Sequence, residues 1–285
     1  MKIGDWKATR GLNEQYRHLR ELGLETNIAE LETFGFTVVE NAIPLELVDR
    51  LVERILAVSA ERLGLDAVEK DGSNHQETTQ ALNYLLAEGR CFEEALMLPK
   101  AVALHTYMLG ESYVVNALQA FVKGPGAPAL RLHIDSPFPE PLPRHSQAAN
   151  VNFLLTDYTA EGGALRFVPG SHRFCRHPTA AEMAMEDMMV PIEAPRGSIV
   201  AFHGTTWHSA CPKTSSGLRI NLIYYACRYY IRPQEFYLNR LPKEVLERNP
   251  ERFTRIVGGD LPFTDSTYDM GKATSFMSHR FGQHR

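Results

Sequence analysis

The residues of this chain predict a mainly β protein with flanking helices, a sandwich or barrel of short strands with helices laid over one face. Three features point there. From about residue 112 the sequence breaks into short runs rich in β-branched and aromatic residues; glycine and proline turn signals bound those runs; and the segment ahead of them carries apolar residues at helical spacing.

Phe34-Gly-Phe-Thr-Val-Val reads as a short strand. Pro44 then opens a helix in which Leu47, Val48, Leu51, Val52, Ile55 and Leu56 share one face, with Glu46, Asp49, Arg50, Glu53 and Arg54 opposite. Two further helices are expected over 76–87 and 92–108. Strands are expected over 113–122, 130–134, 150–155, 164–168, 198–202 and 219–225, punctuated by Gly124-Pro125-Gly126, the prolines of 137–143, Gly162-Gly163, Pro169-Gly170 and Pro195-Arg196-Gly197. No internal repeat or low-complexity tract is visible. The 285 residues therefore read as one domain in three parts: a helical N-terminal cover with one or two strands (1–111), a strand-rich core (112–231) and a tail (232–285) that wraps the core or forms part of a lid. A partly disordered tail is the alternative.

Hydrophobic residues make up 44% of the chain, enough for a substantial core. With 30 basic and 34 acidic residues the net charge is -4, too weak a field to recruit nucleic acid or an anionic membrane, so a small-molecule partner is expected. The opening Met1-Lys2-Ile3-Gly4-Asp5-Trp6 has charges where a signal peptide needs an apolar stretch, and no run long enough to span a membrane follows. A soluble, cytoplasmic protein is expected. Cys91, Cys175, Cys211 and Cys227 lack Cys-x-x-Cys spacing and read as buried thiols rather than a zinc or disulfide framework.

The chemistry gathers around Arg131-Leu-His-Ile-Asp-Ser136. In an extended strand, side chains at i and i+2 leave one face, so His133 and Asp135 point together while Leu132 and Ile134 point away. Such a pair is either a hydrogen-bonded couple on a sheet surface or part of a metal site. His208, in Phe202-His-Gly-Thr-Thr-Trp-His-Ser-Ala210, favours the metal, because two imidazoles and a carboxylate make the facial triad that holds Fe(II) and leaves positions open. Arg219, one strand further on, has the fork geometry to clamp a carboxylate.

His133-x-Asp135, Glu161-Gly-Gly-Ala-Leu-Arg-Phe-Val-Pro-Gly-Ser-His172, Arg196-Gly-Ser-Ile-Val-Ala-Phe-His-Gly-Thr-Thr-Trp-His208 and Arg219 occur in an order that resembles the phytanoyl-CoA dioxygenase family, over roughly residues 30–230. The resemblance implies a double-stranded β-helix (jelly-roll, cupin-like) core and a non-haem Fe(II)/2-oxoglutarate-dependent dioxygenase. It implies His133, Asp135 and His208 as iron ligands and Arg219 as partner of the distal carboxylate of 2-oxoglutarate. Asn152 and Gln119 would line the cosubstrate pocket, with Lys123 a further candidate; Gln119 and Lys123 read equally as solvent-facing strand residues. The implied reaction converts 2-oxoglutarate and O2 to succinate and CO2 while oxidising an unactivated C–H bond of a small organic metabolite. Hydroxylation is favoured over halogenation because Asp135 keeps the carboxylate that halogenating relatives replace. One position departs from the pattern: relatives often place a hydroxyl two residues after the distal histidine, where this chain has Ala210. Ser209, the Tyr224 hydroxyl or Arg219 acting alone is left to do that work.

His145, His172, His177 and His203 are expected to be structural or surface residues, since a triad is complete without them. The loop 136–145 reads as a stiff pocket rim or a mere connector. Met183, Met185, Met188 and Met189 suit adaptable contacts to a lipophilic substrate or simple core filling. Trp207 packs under the metal or faces the substrate. No basic cluster for a CoA phosphate is evident, which favours a smaller or more apolar, natural-product-like substrate of secondary metabolism; the oligomeric state is open, a homodimer included. The rival readings are a jelly-roll metalloenzyme that does not use 2-oxoglutarate, an isomerase or lyase, and a noncatalytic ligand-binding jelly roll.

Overall fold

A computed structural model describes residues 7–136 and 138–259. Helices α1 (Lys7–Glu21) and α2 (Glu25–Phe34) lead into strand β1 (Phe36–Val39), followed by α3 (Leu45–Leu63), β2 (Thr79–Leu82), α4 (Arg90–Leu96) and α5 (Pro99–Leu109). The strand-rich part contributes β3 (Val114–Lys123), β4 (Leu130–His133), β5 (Ala148–Leu154), β6 (Leu165–Phe167), β7 (Val190–Pro191), β8 (Ile199–His203), β9 (His208–Ala210) and β10 (Arg219–Cys227). Helices α6 (Lys243–Arg248) and α7 (Glu251–Ile256) follow. No helix among the described residues is long and apolar enough to cross a membrane.

The strands form two antiparallel sheets, a six-stranded one in the order β1-β8-β5-β10-β3-β2 and a four-stranded one in the order β4-β9-β6-β7. They face each other as a jelly roll, with Leu154, Val200 and Phe202 of the larger sheet packed against Leu165, Phe167 and Ala210 of the smaller. The outer face of the larger sheet is apolar: Leu118, Ala120, Val122, Val151, Phe153, Ile220 and Leu222 share one core with Leu51, Ile55, Leu96 and Leu104 of the helices. Strict alternation places the residues between these on the inner face, where the functional cavity lies.

The segment 76–87, read from its spacing as a helix, instead forms β2 and a short 3-10 turn over Leu85–Ala87. Pairing of Thr79–Leu82 with Ala120–Lys123 supplies a ladder that local helical spacing does not anticipate. The helix expected over 92–108 is two helices. Pro99 cannot donate to the preceding turn, so α4 ends ahead of it and α5 starts with the proline at its first position. After β10 the chain returns across the larger sheet: Glu235 accepts hydrogen bonds from the Tyr84 and Leu118 amides at 2.8 Å each, and Phe253 and Ile256 of α7 are fully buried.

Candidate metal centre

A cavity of about 360 Å³ opens between the sheets. The inward residues of three neighbouring strands line it: Gln119, Phe121 and Lys123 from β3, Asn150 and Asn152 from β5, and Arg219, Asn221, Ile223 and Tyr225 from β10. His133, Asp135 and His208 complete its wall from the smaller sheet and the loop beyond it.

The three ligand-type side chains converge although they come from two strands and a bend. Leu130 pairs with Ala210 and His133 with His208, so two residues on β4 oppose one on β9. This bulge changes the parity of β4. Leu130 and His133 both face the cavity, and Leu132 turns outward into a core with Trp207 and Met189. The His133 and His208 rings stand 4.2 Å apart between centroids. The chain between the two ligand segments approaches closely at Gly204, whose carbonyl accepts from the Asp135 amide at 2.8 Å; a Cβ there would stand 2.7 Å from the Ala148 carbonyl oxygen and 3.0 Å from that of Asp135.

One ligand atom from each of His133, Asp135 and His208 fits within a 4.8 Å set. Each imidazole directs Nδ1 at a main-chain carbonyl, His133 to Arg131 at 2.8 Å and His208 to Thr206 at 3.0 Å. Donation through Nδ1–H leaves both Nε2 lone pairs directed at the shared site, the arrangement a metal-ligating histidine adopts. The Nε2 atoms lie 3.5 and 3.4 Å from the Asp135 carboxylate oxygens. Burial alone would lower the His133 pKa, but the adjoining Asp135 carboxylate outweighs it and the net shift is upward. Burial would raise Asp135, yet the His208 and His133 imidazoles hold it well below the usual carboxylate range. A carboxylate kept ionised between two imidazoles is a donor set that fits a divalent iron.

Asn150, which the spacing argument did not single out, donates to Asp135 Oδ2 at 2.9 Å, and the Tyr225 hydroxyl donates to the Asp135 carbonyl at 2.7 Å. The signal was present: Asn150 and Asn152 stand at i and i+2 of one strand, the same relation that tied His133 to Asp135.

At the other end of the cavity Arg219 is 5% exposed. Its guanidinium donates to the Tyr158 hydroxyl at 3.0 Å and to Asn221 Oδ1 at 2.6 Å, while its buried Nε has no partner. Lys123 sits opposite Arg219 in the ladder, 2% exposed, and donates to the Cys211 carbonyl at 2.7 Å. Burial, reinforced by the Arg219 charge, lowers the Lys123 pKa to about 8. The buried Asn152 Oδ1 has no partner either. Gln119, Asn152, Lys123 and Arg219 thus all line the cavity, and neither Gln119 nor Lys123 is a solvent-facing strand residue.

The hydroxyls considered as substitutes for the one absent at Ala210 lie elsewhere. Ser209 alternates outward and is held by the Leu130 carbonyl and Arg166, and Tyr224 faces the helices, bonded to the Tyr113 hydroxyl. Tyr158 and Lys123 flank Arg219 instead. None of the methionines at 183, 185, 188 and 189 lines the cavity; Met189 is core, and Met183 and Met188 pack against it. Trp207 is fully buried in the same cluster, its Nε1 donating to the Arg176 carbonyl.

A jelly roll carrying two histidines and a carboxylate beside a cavity that ends in a buried arginine defines a non-haem metalloenzyme architecture. A profile of the phytanoyl-CoA dioxygenase (PhyH) family matches residues 31–221, and the chain belongs to that family. Dioxygenase af480 of Aspergillus fumigatus is 30% identical over 198 residues, a match that spans 66% of this chain and 64% of that protein's length. Among solved structures, HygX from Streptomyces hygroscopicus, with nickel and 2-oxoglutarate bound, superposes with a TM-score of 0.60 at 14% identity over 74% of this chain and 89% of HygX. The epimerase SnoN, solved with Fe3+, alpha ketoglutarate and nogalamycin RO, gives 0.57 at 18% identity over 78% of this chain and 91% of its own. At such identities these two establish the shared fold.

Proposed function

We propose that the protein is a non-haem Fe(II)/2-oxoglutarate-dependent dioxygenase that oxidises, most simply by hydroxylation, a C–H bond of a small organic metabolite. The observation that carries this reading is that one cavity joins the His133, Asp135 and His208 donor set to a buried arginine with an unpartnered Nε.

In this reading His133, Asp135 and His208 hold iron on one side, and Asn150 and Tyr225 fix the Asp135 segment that carries the charged ligand. Bound iron would supply the redox chemistry that turns 2-oxoglutarate and O2 into succinate and CO2, one oxygen atom entering succinate and the other the substrate. Arg219 clamps the distal carboxylate of 2-oxoglutarate, oriented by Tyr158 and Asn221, and Lys123, opposite it in the ladder, adds a second positive charge. Asn152 and Gln119 line the same end, and the Asn152 amide is free to turn toward the cosubstrate. Low exposure of Arg219 and Lys123 keeps water from competing for the carboxylate.

Phe121, Leu130, Leu165, Ile223 and Tyr225 give the cavity apolar walls, which support a substrate of apolar or natural-product-like character. The four cysteines are free thiols, as a reducing compartment such as the cytoplasm keeps them. The test is succinate release from 2-oxoglutarate, measured with and without Fe(II) and O2. Slow release that requires both and disappears in His208→Ala is expected. Absence of Fe(II)-dependent succinate at saturating 2-oxoglutarate would contradict the assignment.

A further inference from the structure

A second cavity, of about 650 Å³, lies on the helix side of the metal-ligand loops. Its inner end is formed by His203, Ser146 and the buried Arg228; its outer end by Arg144, His145 and Arg173. The two cavities share a wall. Gly204, directly after His203, accepts from the Asp135 amide and donates to the Ala148 carbonyl.

Its charge is one-sided. Among the described residues that line it, three guanidiniums face one carboxylate, Glu32, which is itself engaged by the Tyr107 hydroxyl at 2.8 Å. Arg173 donates to the Glu32 main-chain carbonyl, and Arg228 Nε donates to that of Ser146 at 2.7 Å. Arg144 has neither ion pair nor hydrogen bond among the described residues. The imidazoles that line the cavity lose proton affinity, chiefly through burial. Burial and then Arg228 lower His145, burial and then Arg173 lower His172, and burial and then His172 lower His203 to about 4. His172 and His203 stack at 5.4 Å with planes 13° apart, a pair in which a second positive charge is unfavourable unless an anion joins it.

We propose that this cavity is a second binding site, for a small organic oxyanion: a carboxylate or a phosphate or sulfate ester. The arginines supply planar donors matched to such groups, and Tyr16 and Tyr107 supply an apolar wall for the organic part. The site stands independently of the reaction assigned to the metal cavity. Folding assembles it from segments far apart in sequence: α1, α2, α5, the loop before β5, the 3-10 turn after β6, the end of β8 and the residue after β10.

The test titrates Fe(II)-loaded protein, under anaerobic conditions and with saturating 2-oxoglutarate, with sodium sulfate or sodium acetate while heat is recorded. Saturable binding of at least one anion is expected, with sulfate or acetate preference telling an ester from a carboxylate. Arg144→Ala and Arg173→Ala should each weaken it about tenfold, the loss of one charged hydrogen bond, whereas Arg219→Ala should leave it unchanged. No saturable binding of either anion would overturn the proposal. So would binding lost in Arg219→Ala, which would place the anion in the metal cavity, or binding indifferent to Arg144 and Arg173, which would mark an adventitious ion only. Arg144 has no partner to lose, so its variant keeps the test sound if Arg173→Ala disturbs the contact to Glu32.

Discussion

Strands β3, β5 and β10 present Leu118, Ala120, Val122, Val151, Phe153, Ile220 and Leu222 to the helices, and Gln119, Lys123, Asn150, Asn152, Arg219 and Asn221 to the cavity. The two sets alternate residue by residue along the same chain. The outer set removes apolar area from water at roughly 25 cal/mol per Å² and has no other task. The inner set buries polar groups, each of which costs about 1–3 kcal/mol if left unmatched. Stability alone would not select it. The difference teaches that one strand pattern separates two kinds of constraint, and that substitutions on the two faces should fail in different ways.

The sharpest break is expected at the proposed metal ligands. Asp135→Ala or His208→Ala should abolish iron binding and turnover, beyond the about 10–100-fold that loss of an outer partner costs, while the melting temperature stays within a few degrees; iron titration and thermal unfolding read the two together. Leu222→Ala, on the outer face, should do the reverse. About 2–5 kcal/mol of stability is lost in denaturant titration, and the surviving folded protein keeps its iron affinity. Arg219→Ala should weaken 2-oxoglutarate by about 1.5–3 kcal/mol in equilibrium titration with iron affinity unchanged. Asn150→Ala should loosen iron by about tenfold without affecting 2-oxoglutarate contacts at the far end.

The smallest effect is a pH dependence. Lys123 is protonated below about 8 and loses its charge as pH rises through that value, so its attraction for a carboxylate is present at low pH and lost at high pH. Bound 2-oxoglutarate favours the charged form and moves the transition upward. Affinity measured from pH 7 to 9 should fall several-fold in the parent protein, and Lys123→Met should bind more weakly at pH 7 with little slope.

Much of the candidate site was legible because alternation is local. The spacing of His133 and Asp135 pointed to convergence, which holds although β4 ends at His133 and Asp135 lies in the bend beyond it, and Arg219 heads a strand with an unmistakable β pattern. The bulge between Leu130 and His133 was not legible, since it depends on the register against β9, a strand of only three residues. Strand β2 was hidden for a related reason: its partner, β3, lies some forty positions away in sequence and local spacing favoured a helix. The placement of Tyr158 against Arg219 and the gathering of Arg144, Arg173 and Arg228 depend on contacts between distant segments, which no window of sequence contains.

The most direct test of the central claim is optical. Fe(II) is added anaerobically to metal-free protein, followed by 2-oxoglutarate, and the visible spectrum is recorded. A weak charge-transfer band that appears only with both, survives in Leu222→Ala and is absent in His208→Ala is the predicted result. Iron binding with no band at any 2-oxoglutarate concentration would contradict the account, because the cavity between the triad and Arg219 would then not be a cosubstrate site.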